Sequence, residues 1–411
     1  MIEKDDNGRA EPGRRPAAAS SAADEISFES LVAPLTSEEF FSDYWEKKPL
    51  VTRGRAADTF VPLFSIADVD RAISYFRPTP GRLDLVTEQG FVRDNFLNSD
   101  GTANVKLVRE IYLKGSTVIL NGLDQTWEPL VLLTSKLEEY LNHPLAISVY
   151  LTPPKFHGVN PHFDTQENFV LQVEGSKHWK VYAPVQEFPR VEGSYTLVPR
   201  EKLPAPILEV VLEPGDVLYI PRGFVHEAAA GDRPSLHITL DVLVRTWHDF
   251  LSDALSGITE RDPRFRRSLP VGFLNDAAAM RSLETEFAGL LDLLRESVSF
   301  DDAVGKHAEM LAVKKPPPPD GHFSMLHAEI TADTPLKKRR TSLARVFQQN
   351  GVAGIQFSGN QVLGPSKISD ALRYIVETDT FTPASLPGAL SENERLVLAR
   401  KMVLAGFLTH A

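Results

Sequence analysis

The 411-residue chain contains no cysteine at all. That excludes disulfides, thiolate-held zinc, iron–sulfur clusters and a catalytic thiol, and it agrees with a reducing compartment; the expected location is the cytoplasm. Long apolar runs are also missing: nothing approaches the ~18 consecutive apolar residues that span a bilayer, so no membrane is expected as a partner. Positive charge is in deficit, with 44 Lys and Arg against 55 Asp and Glu, a formal net charge of −11. Such a balance argues against a protein that coats nucleic acid non-specifically. What is present is 42% hydrophobic content over a length that exceeds one small core, which implies two or three domains.

The stretch Asn160 to Tyr182, NPHFDTQENFVLQVEGSKHWKVY, organises the rest. It opens on His-Phe-Asp, runs into an apolar strand, turns at Glu174-Gly175-Ser176 and returns through Lys177 to Tyr182. Alternate residues of a strand share a face, so His162 and Asp164 are expected to project together. A second histidine from another strand would complete a two-histidine, one-carboxylate facial set of the kind that holds non-haem Fe(II) with open positions. His226 is the candidate. It follows the PGD turn at 214–216, the strand Val217 to Ile220 and the PRG turn at 221–223, 64 positions after His162. An isolated His-X-Asp, or a lone histidine after a turn, is more commonly a surface or structural feature; the combination among short strands carries the reading.

These blocks resemble a known family. PHFD followed by an apolar strand, VEGSKHWKVY, and PGDVLYIPRGFVH are similar, in order and spacing, to motifs of the JmjC-type cupins, specifically the ribosomal-oxygenase group of Fe(II)/2-oxoglutarate oxygenases. The similarity extends back to FFSDYWEKKPLVTRG at 40–54 and covers roughly 26–250 with specific motifs. The resemblance implies a mainly β catalytic core, a double-stranded β-helix (jelly roll), with an added α-helical region and a C-terminal winged-helix-like α+β domain. It assigns His162, Asp164 and His226 as iron ligands and Lys177 as the partner of the distal carboxylate of 2-oxoglutarate. Tyr150 in SVYLTPP and Thr239 in LHITL match positions that hydrogen-bond that carboxylate. The implied chemistry uses Fe(II), 2-oxoglutarate as cosubstrate and dioxygen, releases succinate and carbon dioxide, and hydroxylates a protein side chain, a histidine or arginine of a ribosomal protein. Two rivals stay open: hydroxylation of another peptide, such as a biosynthetic precursor, and a non-catalytic metal-binding cupin that acts as an interaction module.

Along the chain, residues 1–25 are polar and rich in Ala, Ser and Pro, unlike a signal peptide, and are expected to be disordered. The catalytic domain is expected over 26–245. Thr36 and Glu39 have capping-box spacing, predicting a helix from about Ser37 to Trp45, and Ile66 to Tyr75 reads as a second. Loose alternation predicts strands over Leu83 to Val92 and over Val105 to Tyr112, and Ser116 to Asn121 reads as a buried strand. Leucines 130, 133, 137 and 141 share one face of a helix over Trp127 to Leu141, and Leu145 to Leu151 is the strand carrying Tyr150. His157 reads as a solvated loop residue that could reach a substrate, and His237 as structural or as a support to the ligands. Residues 246–313 turn helical, and the resemblance makes them a dimerisation region. Lys314 to Pro319 (KKPPPP) cannot be helical, so 314–320 is expected to be an extended linker. The last domain, 321–411, has ten Lys and Arg against seven Asp and Glu, including Lys337-Lys338-Arg339-Arg340. An excess of three is too small to predict direct nucleic-acid binding. The expected partners are a protein substrate and a second copy of the chain.

Overall fold

The computed structural model describes residues 25–88, 90–92, 96–190, 195–313, 322–339, 344–349 and 351–411. The expected disordered tail therefore lies outside the described residues except for its last position, and the whole 314–320 linker and Arg340 lie outside as well. The chain divides into two compact units, 1–244 and 245–411.

Among the described residues, thirteen strands build the first unit: β1 (Leu50–Thr52), β2 (Leu83–Thr87), β3 (Gly90–Phe91), β4 (Thr117–Asn121), β5 (Leu145–Thr152), β6 (His162–Asp164), β7 (Glu167–Glu174), β8 (Lys177–Pro184), β9 (Tyr195–Leu197), β10 (Leu208–Leu212), β11 (Val217–Ile220), β12 (Phe224–Ala230) and β13 (Ser235–Val242). They form an eight-stranded sheet, ordered β1-β11-β7-β13-β5-β4-β2-β3, and a five-stranded sheet, ordered β10-β8-β12-β6-β9. Every pairing is antiparallel. This is the mainly β, cupin-type core the motifs imply. β7 belongs to the larger sheet and β8 to the smaller, so the Glu174–Lys177 corner carries the chain from one to the other.

The corner depends on Gly175. Its φ is +64°, and a Cβ there would run into the carbonyl oxygen of Pro234. Only glycine fits both demands. Gly223, ahead of His226, has φ +84° and a comparable close approach to the carbonyl oxygen of Gln186.

Behind the larger sheet lies the main apolar core, in which Phe28, Phe40, Phe169 and Tyr219 pack ring against ring. The capping box forms: Thr36 Oγ1 accepts from Glu39 N at 3.2 Å and Glu39 Oε2 accepts from Thr36 N at 2.9 Å, opening the helix Ser37–Asp43. The helix Glu128–Leu141 buries Leu130, Leu133 and Leu137.

One element is of the other kind. Val105–Leu113 is a helix, not a strand. Asn104 caps it, its side chain accepting from Leu107 N at 3.2 Å. Val105, Val108 and Tyr112 recur at three and four residues, a helical period that loose alternation concealed. Only Val108 is fully buried, so the apolar face is narrow and the pattern weak.

The second unit holds the helices Trp247–Arg261, Ala277–Ser297 and Phe300–Val313, then two three-stranded antiparallel sheets and the helices Ser369–Glu377 and Glu392–Leu404. Phe357, Leu372, Met402 and Phe407 lie in its own apolar core.

Candidate metal centre and its cavity

His162 and Asp164 project from β6 on one face, and β12 brings His226 into direct register with His162. One ligand atom from each of the three residues lies within 4.8 Å of the others. His162 Nε2 is 3.8 Å from Asp164 Oδ1, and His226 Nε2 is 3.5 Å from Asp164 Oδ2. The two rings stand 4.3 Å apart between centroids, tilted by 57°. Each imidazole has its Nδ1 against a backbone carbonyl: His162 against Asn160 at 2.7 Å, His226 against Phe224 at 3.2 Å. Donation there fixes the tautomer and leaves both Nε2 lone pairs facing Asp164. Burial, reinforced by His162, lowers His226 to about 4, so its ring is neutral and able to ligate near pH 7. The donor set, two imidazoles and a carboxylate on one side, fits an open-sided divalent transition-metal site.

Asp164 is itself held. Asn168, the second residue of β7, donates from Nδ2 to Asp164 Oδ2 at 2.5 Å. Nothing in the sequence reading singled out Asn168; its position four residues after Asp164, across a bend, was the available signal.

The three ligands line a cavity of ≈ 330 Å³ between the sheets. Lys177 stands in the same cavity, 2% exposed, donating to Thr152 Oγ1 at 3.0 Å, with His237 Nδ1 at 3.5 Å. No carboxylate among the described residues pairs with it, and burial alone lowers its ammonium to about 7. A buried cation without a counter-ion is costly, which makes this position fit an anionic ligand. His237 lies flat against Tyr150, with centroids 4.8 Å apart and planes 4° apart. Burial first, then Lys177 and His226, hold His237 far below its usual range, so it is neutral. Burial, followed by Asp241 and Asp164, raises the Tyr150 hydroxyl. Thr239 is buried on β13, two residues from His237 on the same face, and lines the cavity with Tyr150. All six sequence-derived candidates are thus brought to one cavity. His157 is not among them: it is half exposed, its Nε2 3.7 Å from Glu88 Oε1.

Residues 124–250 match the JmjC domain family. Ribosomal oxygenase 1 of Danio rerio is 34% identical over 307 residues, covering 69% of this chain and 55% of the relative. The Drosophila persimilis bifunctional lysine-specific demethylase and histidyl-hydroxylase NO66 is 36% identical over 249 residues, covering 59% of this chain and 36% of the relative. The chain spans about half the length of the first of these and about a third of the second. Among solved structures, the Escherichia coli ribosomal oxygenase YcfD in complex with cobalt and 2-oxoglutarate aligns with TM-score 0.51 at 17% identity, over 91% of this chain and 98% of that one. At that identity the match speaks to the fold.

Proposed function

We propose that this chain, whose residues 124–250 match the JmjC domain family and which is 34% identical to a ribosomal oxygenase over 307 residues, is an Fe(II)- and 2-oxoglutarate-dependent dioxygenase of the ribosomal-oxygenase group that hydroxylates a protein side chain. The observation that carries this reading is the placing of His162, Asp164 and His226 in one cavity with a buried Lys177 that has no carboxylate partner among the described residues.

His162, Asp164 and His226 would hold the metal, and Lys177, with Tyr150 and Thr239 beside it, would hold the distal carboxylate of 2-oxoglutarate. Bound there, the iron supplies the means to insert one oxygen atom of dioxygen into a C–H bond, while 2-oxoglutarate is converted to succinate and carbon dioxide. The protein's part is placement. The backbone carbonyls of Asn160 and Phe224 aim the two imidazoles, Asn168 aims the carboxylate, and Trp179, Val170 and Ile220 keep the cavity apolar between its polar groups. His237 stacks on Tyr150 beside the Lys177 ammonium and limits where the anion can lie.

The substrate class is a protein, and its reacting group a histidine or arginine side chain of a ribosomal protein; relatives are named for ribosomal oxygenation and histidyl hydroxylation. We read 246–313 as a dimerisation region, 321–411 as a winged-helix-like module and the working location as the cytoplasm. No described helix is long and apolar enough to cross a membrane.

The test is ferrous-ion binding and 2-oxoglutarate turnover in wild type, His162→Ala and His226→Ala. Each variant should lose at least nine-tenths of its bound iron and all detectable succinate release, while its thermal midpoint stays within a few degrees. A fully active single variant would remove that residue from the ligand set.

A further inference from the structure

Lys177 has chemistry of its own in the protein free of 2-oxoglutarate. Its Nζ donates to Thr152 Oγ1 at 3.0 Å and lies 3.5 Å from His237 Nδ1. Both neighbours are uncharged, and Lys177 itself is 2% exposed. An ammonium so placed loses hydration without gaining a counter-ion, and burial lowers it to about 7. A desolvated lysine amine of this kind is a nucleophile rather than a fixed point charge.

Two neighbours of the amine have no use in holding it. Gly158 is not in the left-handed region, so the backbone does not call for glycine there. A Cβ at that position would stand 3.4 Å from Lys177 Nζ, and its absence leaves room for one carbon-sized group beside the nitrogen. Trp179, two residues along β8, has its ring 5.7 Å from the same nitrogen. Its indole Nε1 lines the cavity in a residue 5% exposed, with no hydrogen-bond partner among the described residues. An indole N–H can only donate, and a buried donor left unpaired is destabilising until an acceptor arrives. A donor waiting beside an amine suits an acceptor placed on that amine.

We propose that Lys177 is a carbamate-forming site: carbon dioxide adds reversibly to its side-chain nitrogen, and the carbamate closes the anion site to 2-oxoglutarate. The nitrogen lone pair forms a bond to the carbon of carbon dioxide, one C=O π pair moves onto oxygen, and one N–H proton leaves to solvent. Nothing is oxidised or reduced. The planar product carries two acceptor oxygens, which match the Trp179 N–H and the Thr152 hydroxyl. It also exchanges a cation for an anion, so the distal carboxylate of 2-oxoglutarate meets like charge instead of an ammonium. Carbon dioxide is itself a product of the proposed oxidation, so turnover at low 2-oxoglutarate feeds its own brake. The carbamate stands apart from the oxygenase reading; its competition with 2-oxoglutarate rests on that reading.

The test begins with the metal-free full chain in isotopically labelled bicarbonate. It is read by carbon NMR, and by trapping with an alkyl oxonium reagent followed by peptide mass mapping. A carbamate resonance should appear that Lys177→Ala lacks and that 2-oxoglutarate displaces, and trapping should place the added carboxyl group on Lys177. Carbamate on the α-amino group persists in Lys177→Ala and is subtracted. Trp179→Phe keeps a ring and removes the N–H, so occupancy at the same carbon dioxide concentration should fall about tenfold with the lost charge-assisted hydrogen bond. Melting curves confirm that both variants are folded; if either is not, the trapped wild-type peptide decides alone. No carboxyl group trapped on Lys177, no resonance lost in Lys177→Ala, or unchanged occupancy in folded Trp179→Phe would overturn the site. In the iron-loaded wild type at limiting 2-oxoglutarate and fixed pH, succinate release should fall severalfold as carbon dioxide is raised and recover with excess 2-oxoglutarate. Release indifferent to carbon dioxide overturns the competition and leaves the oxygenase reading in place. A Lys177 carbamate with no succinate release under any condition keeps the site and removes that reading.

Discussion

Lys177 shows how much one side chain can reveal when its surroundings are incomplete. Its ammonium is buried with a threonine hydroxyl and a neutral histidine for company, and burial alone brings it down to about 7. A dicarboxylate bound against it would raise that value again. The sign follows: 2-oxoglutarate affinity is full below about pH 7, where the free ammonium is already charged, and falls as pH rises above it. Lys177→Ala should abolish that pH dependence and raise the 2-oxoglutarate requirement about 10- to 100-fold, since a charge-assisted hydrogen bond contributes about 1.5–3 kcal/mol. Titration of the metal-loaded protein from about pH 6 to pH 9 checks both effects; an unchanged requirement in Lys177→Ala would place the anchor on another cation. The sequence made Lys177 legible through its spacing from His162. It did not make Asn168 legible, because its significance arises from the bend that sets its amide against Asp164. Pattern within a strand says which face a residue occupies, and register between strands says whom it meets.

Among the elements, the β7–β8 corner is the most exacting. It changes sheets, delivers Lys177, and turns through Gly175 at φ +64° against the Pro234 carbonyl. Gly175→Ala should destabilise the first unit by about 2 kcal/mol or more, lowering its melting temperature by about 4 °C or more. A thermal midpoint equal to wild type would show that the corner can relax. Glu174-Gly175-Ser176 was readable as a turn because glycine interrupts two apolar runs. The helix Val105–Leu113 was misread for a comparable local reason: a short segment with one fully buried residue offers too little contrast between periods of two and of 3.6. The helix Glu128–Leu141, with its leucines buried in a row, left no such ambiguity.

At the scale of the whole molecule, the second unit leaves much apolar surface uncovered. The 21-residue helix Ala277–Ser297 has no buried residue; Phe287 in it is 60% exposed, and Trp247 of the preceding helix is 79% exposed. We propose that this helix, which buries no side chain among the described residues, pairs with a second copy, since a two-fold pairing is the commonest arrangement. The expected species is a homodimer by light scattering at micromolar concentration, with Phe287→Glu shifting it toward monomer. A wild-type monomer that retains full activity would leave these helices without that role. The central claim, that the chain oxidises a protein side chain at the His162–Asp164–His226 site, is tested most directly by one measurement. The iron-loaded chain is incubated with ribosomal protein fractions and 2-oxoglutarate, and intact masses are compared with those from a His162→Ala control. A gain of one oxygen atom on a single protein is expected, matched by an equal amount of succinate and absent from the control. Succinate without any mass gain, or a mass gain that persists in His162→Ala, would contradict it.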